Sequence, residues 1–221
     1  MKEQAQALRF EPRWPVALAI LTVLFLLAIL PARVRSVPIW ITYAIGLAAL
    51  APIAAVWLTA AKARWLRVER AVVLFFVVVK VAANLVSLAY LIDLMVSHSA
   101  EVGGLQLLAS STALWATNVL MFSLLYWQID RGGPEARVDY ADTRPDWLFP
   151  QEGAPADDVP PGWRPAFVDY LYLGYSTATA FSTTDAMPLT PRGKLLMMLE
   201  STISLLTIVV VASRAINILG S

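Results

Sequence analysis

Phe167–Leu189 reads FVDYLYLGYSTATAFSTTDAMPL, and the way this stretch meets a bilayer decides the fold. It is long enough to cross a hydrocarbon core, which takes about 20 helical residues. It is also poorly matched to lipid. Asp169 stands near its start and Asp185 near its end, with Ser176, Thr177, Thr179, Ser182, Thr183 and Thr184 between them. Such groups are costly against lipid, so the segment is expected to be shielded by other helices or to line water. The plainer reading is structural: Gly174, Ser176, Ala178 and Ala180 permit close helix packing, and the hydroxyls bond back to their own helix.

The rest of the chain gives this stretch its setting. Of 221 residues 58% are hydrophobic and only 15% charged, where soluble chains hold roughly 45–50% apolar and about 25% charged residues. Five further segments read as membrane helices: 15–30, 38–61, 71–97, 103–129 and 195–219. Helix is the state expected for all of them, because lipid cannot satisfy open backbone groups and none alternates as a barrel strand does. The N-terminal basic and apolar run has no A-x-A cleavage pattern, so it reads as a retained first span. Trp14, Trp40, Trp57, Trp65 and Trp127 lie near segment ends, where interfacial aromatics gather. The fold class is therefore all-α, a polytopic transmembrane helix bundle of six membrane segments. The fifth either spans or re-enters like a pore helix.

Three regions follow: residues 1–129 with four transmembrane helices, an exposed loop at 130–166, and residues 167–221 with the polar fifth segment and the last helix. The loop contains Pro134, Pro145, Pro150, Pro155, Pro160, Pro161 and Pro165 and is rich in acids. It reads as extended and solvent-exposed, either a functional element or a simple connection. With six full spans and an inner N-terminus, most lysines and arginines fall inside, including Lys62, Arg64, Arg67 and Arg70 after the second span. This predicts a cytoplasmic N-terminus and C-terminus.

The run Thr177–Thr190, TATAFSTTDAMPLT, resembles the pore loop of tetrameric potassium channels, where a pore helix ends in T-x-T-T-V-G-Y-G-D followed by x-x-P-x-T. Thr177, Thr179, Asp185, Pro188 and Thr190 fall on matching positions. Upstream, Phe167–Tyr172 looks like the start of a pore helix; downstream, Gly193-Lys194 stands where an inner helix opens. The resemblance implies a tetramer that conducts a small cation, with Thr177, Thr179, Ser182, Thr183, Thr184 and Asp185 as filter-like residues. Ser182, Thr183 and Thr184 occupy the place of the filter glycines, whose backbone freedom lets carbonyls face the ion. A pathway without potassium selectivity is the expectation. A pore loop entering from outside would, however, reverse the topology and leave most basic residues outside, against the positive-inside preference. Over nearly its whole length the chain is also similar to a family of uncharacterised bacterial multi-span membrane proteins. That resemblance implies the inner membrane and brings no activity.

Other polar residues lie inside apolar segments. Lys80, Asn84, Ser87 and His98 share one stripe of the third segment, and Glu200, Ser204, Thr207 and Arg214 share one on the last. Glu200 is the partner expected for Lys80, and Asn118 is expected to hydrogen-bond between helices. The stripe on the last helix would face a central axis in a channel-like assembly, or the third and fifth segments in a single bundle. With no cysteine, one histidine, no P-loop and no G-x-S-x-G, enzyme chemistry, a metal site and a cofactor are not expected. A net charge of +1 without a basic stripe argues against nucleic acid. The bilayer is the partner the composition implies. Ion-channel-like transport is the leading function, and a non-transporting scaffold or accessory protein using the 130–166 loop is the alternative.

Overall fold

In lipid a backbone must satisfy its own hydrogen bonds, and the apolar segments do so as α1 (Trp14–Ile29), α2 (Ile39–Leu58), α3 (Ala63–Ser97), α4 (Gly104–Ile129) and α7 (Pro191–Leu219). The structure, a computed structural model, describes residues 11–30, 35, 38–58, 63–97, 104–134, 136–139, 143–155, 157–161, 163–179 and 186–219. Four helices are long and apolar enough to cross a membrane: α2, α3, α4 and α7. With 16 residues, α1 falls just short. The chain is an integral membrane helix bundle. α3 starts at Ala63, so Arg67 and Arg70, expected in a loop, belong to its first turns.

α4 is the hub, touching α1, α3, α6 and α7. In its membrane-length window 67% of residues are buried, against 33%, 39% and 28% in α2, α3 and α7. At its foot Arg131, Gly132 and Gly133 all have positive φ, and a Cβ on Gly133 would stand 2.9 Å from Gln128 O. This turn sends the chain into a small cap that carries a 3-10 turn, α5 (Ala136–Asp139) and β1 (Trp147–Leu148).

The cap bears on the expectation of an extended, exposed loop residue by residue: 150–153, 155, 157–158 and 160–161 are exposed, while its earlier part folds inward. Trp147 and Phe149 are buried, and Phe149 packs edge-on against Tyr170 and Trp163. Trp127 is also buried, not interfacial: it sits between Arg13 and Arg137, while Trp14 and Trp40 remain exposed.

The fifth segment divides into α6 (Phe167–Thr179) and β2 (Met187–Pro188), which pairs antiparallel with β1 through Trp147↔Pro188 and Leu148↔Met187. The feet of α6 and α7 lie together. Phe167 N–H donates to Glu11 and Tyr170 OH to Asp130. Thr190 and Arg192 bind Asp146, whose own N–H donates to Asp130 at 2.7 Å. Further along both helices, Ser201 Oγ donates to Thr177 O at 3.1 Å. Consecutive helices α6 and α7 are thus parallel, so the chain between them returns to the end where α6 began. The 13 residues of α6 are about 20 Å long, short of a core of about 30 Å. The step from Thr179 to Met187 reaches about 27 Å when extended, enough for the return.

Within the bundle the fifth segment is therefore a half-length helix followed by a return, while α2, α3, α4 and α7 have the length and apolarity to cross a membrane. Residues 11 and 219 lie at opposite ends of the bundle, whereas six full crossings would put both ends on one face. Single cysteines at Ala154 and Lys194 test this in membranes with an impermeant thiol reagent. Both are expected to label from the same side; six full crossings would put them on opposite sides.

Candidate functional site

The half-length helix α6 is held by a polar seam against α4 and α7. Gly174 on α6 makes the close approach possible, because a Cβ there would lie 2.5 Å from Ser123 Oγ and 3.3 Å from both Glu200 Oε1 and Val119 O. Glu200, on α7, is fully buried. Its Oε2 accepts from Tyr126 OH of α4, while Oε1 has no hydrogen-bond partner. Among the described residues no lysine or arginine pairs with it. Asn118 donates between helices, to Glu200 O at 3.2 Å and Ser204 Oγ at 2.9 Å, and its Oδ1 is left without a partner. Thr177 Oγ1 is a third buried oxygen without one. A carboxyl, an amide oxygen and a hydroxyl with spare capacity are hard oxygen groups of the kind that hold alkali cations or exchange protons.

The sequence-derived residues separate into different environments. Thr177 is buried in the seam, whereas Thr179 is exposed and donates to Tyr175 O of its own helix. Ser182, Thr183, Thr184 and Asp185 lie outside the described residues, as do His98 and the side chain of Arg214. Ser204 and Thr207 are buried with Glu200, and Thr207 bonds back to Ile203 O. In this stripe Glu200 and Ser204 face α4, and Glu200 also faces α6, the fifth segment, as expected for a single bundle.

Lys80 and Glu200 do not pair. Lys80 is buried in a separate cavity with Arg35, Ile39, Thr42, Asn84 and Ser87, turned toward the α1–α2 connection, whereas Glu200 is turned toward Tyr126 and α6. Asn84 spans from α3 to Leu114 O of α4 at 3.3 Å.

Sequence reasoning missed Tyr126 and Glu11. Nothing local marks them: Tyr126 meets Glu200 across 74 residues, and Glu11 meets Phe167 across 156. Glu11 also accepts from Trp127 Nε1 at 2.8 Å and pairs with Arg137 at 3.3 Å, joining α1, α4, the cap and α6.

Two substitutions gauge these joints. Gly174→Ala should destabilise by about 1–3 kcal/mol through overpacking, and Gly174→Val by more. Glu11→Ala should cost about 3–5 kcal/mol, as when one partner of a buried ion pair is lost. Unfolding in mixed micelles, followed by tryptophan fluorescence, measures both; unchanged midpoints would contradict the seam and the clasp respectively.

No known protein family, curated protein or solved structure matches the chain.

Proposed function

We propose that this protein is a channel-like transporter of small monovalent cations or protons, working along the seam of α4, α6 and α7. The observation that carries the reading is the half-length helix α6 lying parallel to α7 beside a fully buried carboxyl with a spare oxygen. Irregular or broken backbone at membrane depth is tolerated where it is buried in protein or lines a water-filled path. Intramembrane carboxyls that lack a cationic partner mark ion or proton pathways. Near its carbonyl end α6 lies against α7, where Thr177 O accepts from Ser201, and a helix C-terminus favours positive charge.

Orientation follows from the basic residues. Arg13, Arg67, Arg70, Arg131, Arg137, Arg144, Arg164, Arg192 and Lys194 gather at the end where α6 enters, and Arg35 lies at the other. The positive-inside preference makes the entry side cytoplasmic. A loop that dips from inside removes the conflict between pore-loop likeness and charge distribution. The likeness to potassium channels then concerns the order of outer helix, short helix, return and inner helix, in inverted orientation. Without glycines at Ser182, Thr183 and Thr184, the pathway does not discriminate potassium by a carbonyl ladder. A free partner-binding arm at 130–166 is less favoured, since Asp130, Asp146, Trp147 and Phe149 of that loop are buried in the cap.

Proteoliposomes test the proposal with sodium, potassium and pH gradients. The full chain should dissipate at least one gradient. Glu200→Gln and Asp185→Ala should each slow the flux about tenfold or more, equivalent to about 1.4 kcal/mol in the barrier, with folding intact by tryptophan fluorescence. Vesicles that stay tight to all three ions would overturn it.

A further inference from the structure

A second polar cavity lies apart from the seam, and all its charges are of one sign. Lys80 of α3 and Arg35 of the α1–α2 connection line it together with Ile39, Thr42, Asn84 and Ser87. Lys80, Thr42, Asn84 and Ser87 are all more than nine-tenths buried. Neither Lys80 nor Arg35 has a hydrogen bond or ion pair among the described residues. Ile39 and Thr42 belong to the first turn of the 20-residue helix α2, whose N-terminus adds partial positive charge and N–H donors.

Among the described residues no acid balances these charges. α1, α2 and α4 contain no Asp or Glu at all. On α3 the acids are Glu69 and Asp93. Glu69 lies about 16 Å along the helix from Lys80 and pairs with Arg13, and Asp93 lies about 20 Å the other way. Glu200 of α7 is engaged with Tyr126. A buried amine beside a half-buried guanidinium, with no acid against either among the described residues, is strongly unfavourable, and their joint retention around one cavity calls for an anion.

We infer that this cavity is a binding site for a compact oxyanion, a phosphate group held by Lys80, Arg35 and the N-terminus of α2. The donors suit several oxygens at once: a guanidinium fork, an ammonium, the hydroxyl of Thr42 and helix N–H groups. The phosphate comes either from an anionic phospholipid headgroup seated at the α1–α2 turn or from free phosphate in solution. The site stands independently of the transport reading, because none of its residues belongs to the seam.

Thermal unfolding of the purified full chain and native mass spectrometry test this with two probes, inorganic phosphate in detergent and phosphatidylglycerol in phosphatidylcholine nanodiscs. Either probe should raise the melting temperature and be retained. A response to inorganic phosphate assigns the free ion, and a response to phosphatidylglycerol alone assigns the lipid. Lys80→Gln and Arg35→Gln should each weaken the binding about tenfold or more, Lys80→Arg should preserve it, and the exposed control Lys194→Gln should leave it unchanged. Thr42→Val, which keeps the charge and shape, should weaken it less. Absence of any response to both probes would overturn the inference. So would binding that is as tight in Lys80→Gln and Arg35→Gln as in the unaltered chain.

Discussion

The fold depends on a single carboxylate at the foot of the bundle. Glu11 accepts from the Trp127 indole of α4 and the Phe167 N–H that opens α6, and it pairs with Arg137 of the cap. Three partially desolvated donors that would each need a partner are satisfied by one acid. Asp130 and Asp146 repeat the device: Asp130 takes Tyr170 OH and Asp146 N–H, and Asp146 takes Thr190 and Arg192. Together these acids fix the feet of α4, α6 and α7 at one level. Once the feet are fixed, α6 has nowhere to run except alongside α7, and a helix of its length must stop inside the bundle.

Stopping inside leaves a problem of backbone chemistry. The last carbonyls of α6 have no partner within their own helix, and lipid offers none. Ser201 of α7 supplies one by donating to Thr177 O. Gly174 lets the backbones of α4 and α6 approach closely enough for that contact, at the point where Glu200 also enters. Shortness, close packing and the buried acid are therefore one arrangement. The face of α6 away from the seam remains apolar or aromatic, with Val168, Tyr172 and Tyr175 exposed, as suits a lipid-facing surface.

Much of this was legible in the residues. The apolar segments, the exceptional fifth stretch and the inward polar positions on the third and last helices follow from composition and helical period. Asn118 makes the interhelical bond its position suggests. What composition does not encode is direction. A span and a half-helix with a return are built from the same residues over the same length, and the choice rests on contacts between distant parts of the chain, such as β1 with β2. The Lys80–Glu200 pairing failed for a related reason. Periodicity tells which side of a helix is polar, but not which neighbour covers it, and here α3 turns its polar side to the α1–α2 connection. The proline-rich loop was legible only in part: prolines signal irregular backbone, which is exposed over 150–153 and 157–158 but folds inward where it carries Trp147 and Phe149.

Helix ends give the bundle an electrostatic polarity that side chains alone do not. The interior end of α6 presents carbonyl oxygens near Glu200 and the spare oxygens of Asn118 and Thr177, an environment that lowers the cost of positive charge. The start of α2 presents N–H groups beside Lys80 and Arg35, an environment that lowers the cost of negative charge. Sharing α4 as a wall, the two places have opposite sign and no residue in common. On the proposed reading, an anion in the cavity would neutralise the two unpaired cations, whose field otherwise raises the barrier to positive charge at the seam.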